Sequence, residues 1–212
     1  MNSREKILEK MRGGVKPFPE VSKLDSYKAM VPVDDLSGAE LLALFIEKAE
    51  AASCVVHQAK SSAEAVETVL QLIGEDKIIS SWELENIPLP DLVQAFEGAG
   101  ISLVGEDAKV RVGLTGVDAA LAATGSVVLL SGAGRFRAAS LLPTKHIVVM
   151  TTAQILPDFE SWWREQKTAG LENMRRYSNI VVISGPSRTA DIAMELVMGM
   201  HGPRELDIVI IE

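Results

Sequence analysis

From residue 38 almost to the end of the chain, segments with helical spacing alternate with short, mainly apolar runs. This alternation limits the possible folds more than any other feature. Residues 38–51, 61–73 and 90–99 carry the helical pattern, and Cys54–His57, Lys77–Ser80 and Ile101–Val104 are the runs between them. A run that is apolar at successive positions has no polar face to offer water, so it belongs in a parallel sheet covered on both sides. In the first helix Leu41, Leu44, Phe45 and Lys48 follow one face. In the second, Ser61 is placed as the N-cap with Glu64 at capping-box spacing.

The middle of the chain departs from this rhythm. Asp118–Ala123 reads as a short helix stopped at Thr124-Gly125, Ser126–Leu130 as a strand, Gly132–Gly134 as a turn and 136–142 as a second strand. After Pro143 comes a further strand, His146–Met150. Strands joined this closely are expected as hairpin neighbours, because a parallel crossover needs a dozen residues or more. The last third returns to alternation: helix 158–169, strand Ile180–Ser184, helix 189–200 and strand Leu206–Ile211. The expected class is α/β, with a mixed, mostly parallel sheet flanked by helices.

Ahead of this domain (38–212), residues 3–12 place Ile7, Leu8 and Met11 at helical spacing behind Ser3 as N-cap, and Gly13-Gly14 end the helix. Residues 13–37, with Pro17, Pro19 and Pro32, read as an extended arm. A helix tethered in this way packs either on its own domain or on a neighbouring subunit, and the second case makes a homodimer.

Charge and composition narrow the function. The 212-residue chain has 21 Lys plus Arg against 29 Asp plus Glu, a formal charge of −8. Nucleic acid and anionic lipid both ask for the opposite balance, so neither is an expected partner. Aromatic residues are 5 % of the chain, which leaves the core to aliphatic side chains. The single cysteine, Cys54, excludes an intramolecular disulfide, and an iron–sulfur cluster or structural zinc site made by this chain alone. His57, His146 and His201 lack metal-ligand spacing, so no metal and no cofactor is expected. The opening MNSREKILEK has no apolar stretch, and no apolar run approaches the ~18 residues of a membrane span. The expectation is a cytoplasmic protein.

Residues 184–206, SGPSRTADIAMELVMGMHGPREL, carry the most chemistry. A buried strand is expected to end at Ser184, and Gly185-Pro186 to turn the chain into a helix with Ser187, Arg188 and Thr189 in its first turn. Free N–H groups, two hydroxyls and a guanidinium would then meet at the carboxyl edge of the sheet, where an anion is favoured. The alternative is that Ser187 or Thr189 only caps the helix and Arg188 pairs with a surface acid. Ala193, Leu196, Val197 and Met200 form the buried stripe of that helix, Asp191 and Glu195 another face. His201 falls in the last turn, as a C-cap or as a base. Arg204, after Gly202-Pro203, either reaches the sheet edge or holds the turn.

In GLTGVDAALAATGS, residues 113–126, the polar Thr115, Asp118, Thr124 and Ser126 with Gly125 form a candidate pocket lip. The alternative makes Thr115 an N-cap with Asp118 as an acidic capping box. SGAGRFR, 131–137, has Gly-x-Gly but Arg137 where a dinucleotide fingerprint needs glycine or alanine, so it reads as a hairpin turn with Arg135 and Arg137 beside it. Cys54 and His57, three apart on a strand, point to opposite faces, and Cys54 reads as inert core.

GLTGVDAALAATGSVVLLS, LLPTKHIVVM and SGPSRTADI…GMHGPREL, in that order, make a chain that resembles the lactate-utilisation (LUD) domain family, densely from about residue 100 to 212 and more weakly from 40 to 100. The resemblance implies a Rossmann-like fold similar to ribose-5-phosphate isomerase, glucosamine-6-phosphate deaminase and the CoA transferases. It also implies a part in oxidising L-lactate to pyruvate beside partner proteins, at least one similar to iron–sulfur oxidoreductases. It points to His146, Ser187, Arg188, Thr189, Asp191, His201, Gly202, Pro203 and Arg204 as ligand-binding positions. Two positions depart from the family pattern: Ala123 and Ala193 stand where members commonly carry an acid. The glutamate chemistry of CoA transfer thereby loses its nearest candidate. The leading expectation is a subunit of a lactate-oxidising system that binds a small carboxylate or phosphorylated ligand. The rivals are a stand-alone enzyme acting on a sugar phosphate or acyl-CoA, and a ligand sensor without turnover.

Overall fold

Ser37 shows how closely local sequence dictates the first core helix. Its hydroxyl accepts from Glu40 N at 3.4 Å while its own N–H donates to Glu40 Oε2 at 2.8 Å, a full capping box. The computed structural model describes residues 3–14, 33, 35–105, 107, 109–190 and 196–212. Within them, α1 (Ser3–Gly14) is a unit by itself, with Ile7 and Met11 exposed. Most of the expected arm lies outside the described residues.

From α2 (Gly38–Ala51) the expected alternation appears: β1 (Val55–Ala59), α3 (Ser62–Ile73), β2 (Ile78–Ser81), α4 (Leu92–Ala99), β3 (Ser102–Val104) and β4 (Val112–Thr115). Then follow β5 (Ala119–Leu121), β6 (Ser126–Ser131), α5 (Ala138–Leu141), β7 (Lys145–Thr151), β8 (Ile155–Leu156), α6 (Phe159–Thr168), α7 (Glu172–Arg176), β9 (Asn179–Ile183), β10 (Arg188–Ala190), β11 (Leu196–Met198) and β12 (Glu205–Ile211). Six strands form a parallel sheet in the order β1-β12-β7-β4-β2-β3. A second, four-stranded sheet, β8-β5-β6-β9, holds the antiparallel pairs β5–β6 and β6–β9. The mixed, mostly parallel α/β class therefore holds, with the antiparallel pairs segregated from the parallel sheet. The central strands β4, β7 and β12 are buried along nearly their whole length, as their unbroken apolar sequence requires.

Four expectations change. The segment 118–123 is not a helix: Ala119–Leu121 is a strand pairing with β6. Its alternate residues go to different cores. Ala119 and Leu121 join Val128, Leu130 and Trp162, while Ala120 and Ala122 join Val127 and Leu129 in the main core. Burial on both faces outweighs the helix propensity of alanine. Second, residues 136–142 hold the helix α5 instead of a strand, and this helix lies directly on β4. A Cβ at Gly113 would overlap Ala139 O, so only glycine admits that approach. Consequently β7 is no hairpin neighbour of β6; it pairs in parallel with β4 and β12.

Third, β9 lies at the edge of the second sheet, with Ile180 and Val182 exposed, not buried in the parallel sheet. Fourth, the described residues of 189–200 form strands where a helix was expected. Arg188–Ala190 pairs antiparallel with Leu196–Met198, and Val197 and Met200 of the expected buried stripe are exposed. Asp191, Ala193 and Glu195 lie outside the described residues. Left-handed Gly185 and Gly199 (φ +89° and +77°) turn the chain at either end of this hairpin, which a continuous helix forbids.

Candidate functional site

Without that helix there is no helix start at Ser187, so the anion site expected there on dipole grounds does not exist in that form. The same residues nevertheless come together by other bonds. Ser187 N donates to Pro203 O at 2.8 Å, its carbonyl accepts from Gly199 N at 2.8 Å, and its hydroxyl accepts from His201 N at 3.2 Å. Arg204 N donates to Thr144 O at 2.7 Å. The two halves of the motif, SGPSR and GMHGPR, are thus stitched into one junction. It stands at the amino ends of β7 and β12, the opposite edge from the one expected. The reason is that β9, which leads into it, belongs to the second sheet.

Arg188, His201 and Arg204 are exposed at this junction, and no ion pair engages any of them among the described residues. Arg188 Nη1 donates to Ser53 Oγ at 3.3 Å. Thr189 is placed in the hairpin, opposite Val197. Thr124, Gly125 and Ser126 reach the motif from the other side. Thr124 Oγ1 lies 2.8 Å from Ser126 Oγ, which lies 2.7 Å from Ser184 Oγ. Gly125 and Gly185 press on the end of α2, where a Cβ would overlap the backbone of Ala49 and of Ala52 respectively. These contacts dock the second sheet on the motif and on α2.

Beneath the junction His146 is 1 % exposed, with Nε2 2.8 Å from Thr115 Oγ1 and Nδ1 without a partner. Burial pushes its pKa down to about 3, so the ring is neutral. The Thr115–His146 distance is that of a nucleophile and its base. Yet Thr115 is fully buried at the end of a strand, not an N-cap, and so feeble a base cannot activate it. Beside the ring is a cavity of about 20 Å³ lined by Ser140, His146, Ile183, Gly185, Pro186, Pro203 and Leu206.

The carboxyl edge has its own constellation. β2 and β4 are neighbours, and the chain leaves them in opposite directions, towards β3 and towards β7, which is the switch point where open α/β sheets bind ligands. Asp118, just past β4, accepts from Leu130 N at 2.7 Å and from Arg135 Nη1 at 2.6 Å. Burial pushes its carboxyl up, against the lowering pull of the Leu130 amide and the Arg135 charge. Arg135 Nε donates to Asn86 Oδ1 at 3.0 Å, and its guanidinium lies 5.1 Å from the Trp82 ring centre and 5.0 Å from that of Tyr177. Two aromatic rings and the Asp118 carboxylate thus engage the cation at the switch point.

Sequence reading missed Trp82, Asn86 and Tyr177; the one available signal was a tryptophan immediately after the run ending β2. It also missed Asp207, which takes His57 Nε2 at 2.9 Å and Lys145 Nζ at 3.6 Å. Cys54 is buried, and burial pushes its thiol up to about 11, so it is inert as expected. Among the described residues no group of His, Cys, Asp and Glu is placed to hold a metal, and no helix is long and apolar enough to cross a membrane.

Comparison with known proteins agrees with this architecture. A structure of a DUF162 family protein from Deinococcus radiodurans superposes with a TM-score of 0.64 over 84 % of this chain and 99 % of that one, at 22 % identity, and shares the fold. Lactate utilization protein C of Halalkalibacterium halodurans is 40 % identical over 113 residues, and that of Macrococcus caseolyticus 35 % over 105. The matches span 49 % and 45 % of those proteins, about half their length, and 53 % and 49 % of this chain. The uncharacterized protein YkgG of Escherichia coli is 28 % identical over 210 residues, 93 % of this chain and 90 % of that protein. The LUD domain family model matches residues 42–211, which is most of the chain. This protein belongs to the LUD domain family.

Proposed function

We propose that this protein serves in the cytoplasmic oxidation of L-lactate to pyruvate, as one component beside iron–sulfur partner proteins, and binds a small carboxylate on the rim formed by Arg188, His201 and Arg204. The names of its lactate utilization relatives support the pathway. The observation that carries the binding role is the junction around Ser187, which leaves three basic side chains without acid partners among the described residues, on a chain of net charge −8. One cysteine supplies no cluster, so the electrons of the oxidation pass to partners. Affinity purification from lactate-grown cells tests the assignment: a cysteine-rich partner is recovered with the chain, and recovery of the chain alone overturns it.

A second reading keeps one observation in its favour. The same rim suits a phosphoryl group as well as a carboxylate, which fits a stand-alone enzyme on a sugar phosphate or acyl-CoA. Turnover of ribose 5-phosphate or an acyl-CoA by the isolated protein decides for it.

A further inference from the structure

The ring of His146 has one nitrogen accounted for and one not. Nε2 is engaged with Thr115 Oγ1, while Nδ1 is enclosed and meets no partner among the described residues. A buried ring nitrogen left unpaired costs free energy, so native structures almost always provide it a partner. Beside the ring lies the cavity of about 20 Å³, bounded by Ser140, Gly185, Pro186, Pro203 and Leu206. About 10–15 Å³ of such space accommodates one water molecule, and two do not fit. Among the described residues no charged side chain lines the cavity, so an ion would lose its hydration there without replacement. We infer that one water molecule is bound in this cavity, hydrogen-bonded to His146 Nδ1 and enclosed by the Gly185-Pro186 and Pro203 turns.

The hydrogen-bond roles follow. Ser140 Oγ donates to Arg137 O at 3.1 Å and keeps its lone pairs for the water. The water donates one hydrogen to His146 Nδ1 and the other to Ser140 Oγ. His146 then carries its proton on Nε2 and donates to Thr115 Oγ1. The enclosing turns are the two that the Ser187 N–H to Pro203 O bond ties together. The water leaves only when that junction parts, and its residence time reports how often this happens.

A crystal structure at neutral pH, with ¹⁵N spectra of the His146 ring in the full chain, tests this. The expected result is one ordered peak within about 3 Å of Nδ1, the Nε2–H tautomer, and a water contact far longer-lived than those at the surface. Ser140→Val fills the space, and the peak should vanish while the Nδ1 resonance moves to that of an unbonded nitrogen. A cavity without density beside an unbonded Nδ1 in the wild type overturns the inference, as does an Nδ1 resonance unmoved by Ser140→Val. The wild-type measurement decides alone if that variant does not fold.

Discussion

Acid should weaken this protein through one residue. His146 ordinarily titrates at 6.5, and its burial lowers that to about 3. Between those values the unfolded chain holds a proton on this ring that the folded chain refuses, so stability rises with pH. The contribution of the neutral ring is complete above pH 6.5 and is lost progressively as pH falls towards 3. Each pH unit is worth about 1.4 kcal/mol, so the 1.5 units from 6.5 to 5 amount to about 2 kcal/mol. That is a large share of the ~5–15 kcal/mol available to a typical domain. Asp118 acts oppositely: its carboxyl is pushed up by burial, so the folded state takes up that proton earlier and gains stability at the acid end. A comparison with a variant that lacks only the ring removes the Asp118 contribution, which is common to both proteins. Urea unfolding of the wild type and of His146→Leu at pH 7, 6 and 5 provides the comparison, since the two differ in this ring alone. The wild type should lose about 2 kcal/mol more than the variant over that interval. Equal slopes refute the argument.

Gly113→Ala should destabilise by about 3 kcal/mol or more, because the added methyl meets the backbone of Ala139 and not a side chain that can turn away; a melting temperature within a degree or two of wild type contradicts the close approach. Cys54, buried and with its thiol pushed up to about 11, should react with a disulfide reagent at pH 8 only as the chain unfolds, and rapid labelling of the native protein excludes the buried placement. If α1 joins two copies, deleting residues 1–30 should halve the mass in solution, and an unchanged mass removes α1 from any interface.

What was legible in the sequence and what was not divide along one physical line. Where a segment has a single environment, its pattern names it: Ser61 caps α3, and the runs ending in Ser80 and Val104 are strands of the parallel sheet. Where two cores compete for one segment, the pattern misleads. Ala119–Leu121 looks helical because alanines are small, but smallness here serves two-sided burial between α6 and the main core. Residues 189–200 show helical spacing, yet Val197 and Met200 find no core, and glycines at 185 and 199 turn the chain instead. The site suffered accordingly. The link between Ser187, His201 and Arg204 was foreshadowed by their common motif, but its place at the amino edge depended on which sheet β9 joins. No local pattern reveals that choice. Likewise Trp82, Asn86, Asp118, Arg135 and Tyr177 come from separate segments and meet only through the fold.

The two edges of the parallel sheet then make opposite demands on an anion, and a pair of variants separates them. At the carboxyl edge Arg135 is held between Trp82 and Tyr177 and bonded to Asp118 and Asn86, all in a partly buried setting. A ligand recruiting this cation has to break a desolvated ion pair and at least one stacking contact worth about 0.5–2 kcal/mol. At the amino edge Arg188 is exposed and, among the described residues, gives up a 3.3 Å bond to Ser53. A charge-assisted bond from Arg188 to a carboxylate is worth roughly 1.5–3 kcal/mol. Arg188→Ala should therefore weaken lactate or phosphate binding about ten- to a hundredfold with an unchanged unfolding curve. Arg135→Ala should behave in reverse. It leaves Asp118 without its counter-ion, lowers stability by about 3 kcal/mol or more, and leaves the affinity of the folded fraction unaltered. Titration calorimetry with both anions, beside urea unfolding of the two variants, reads both quantities. Anion affinity lost with Arg135 and kept with Arg188 moves the site to the carboxyl edge and assigns the Ser187 junction to structure.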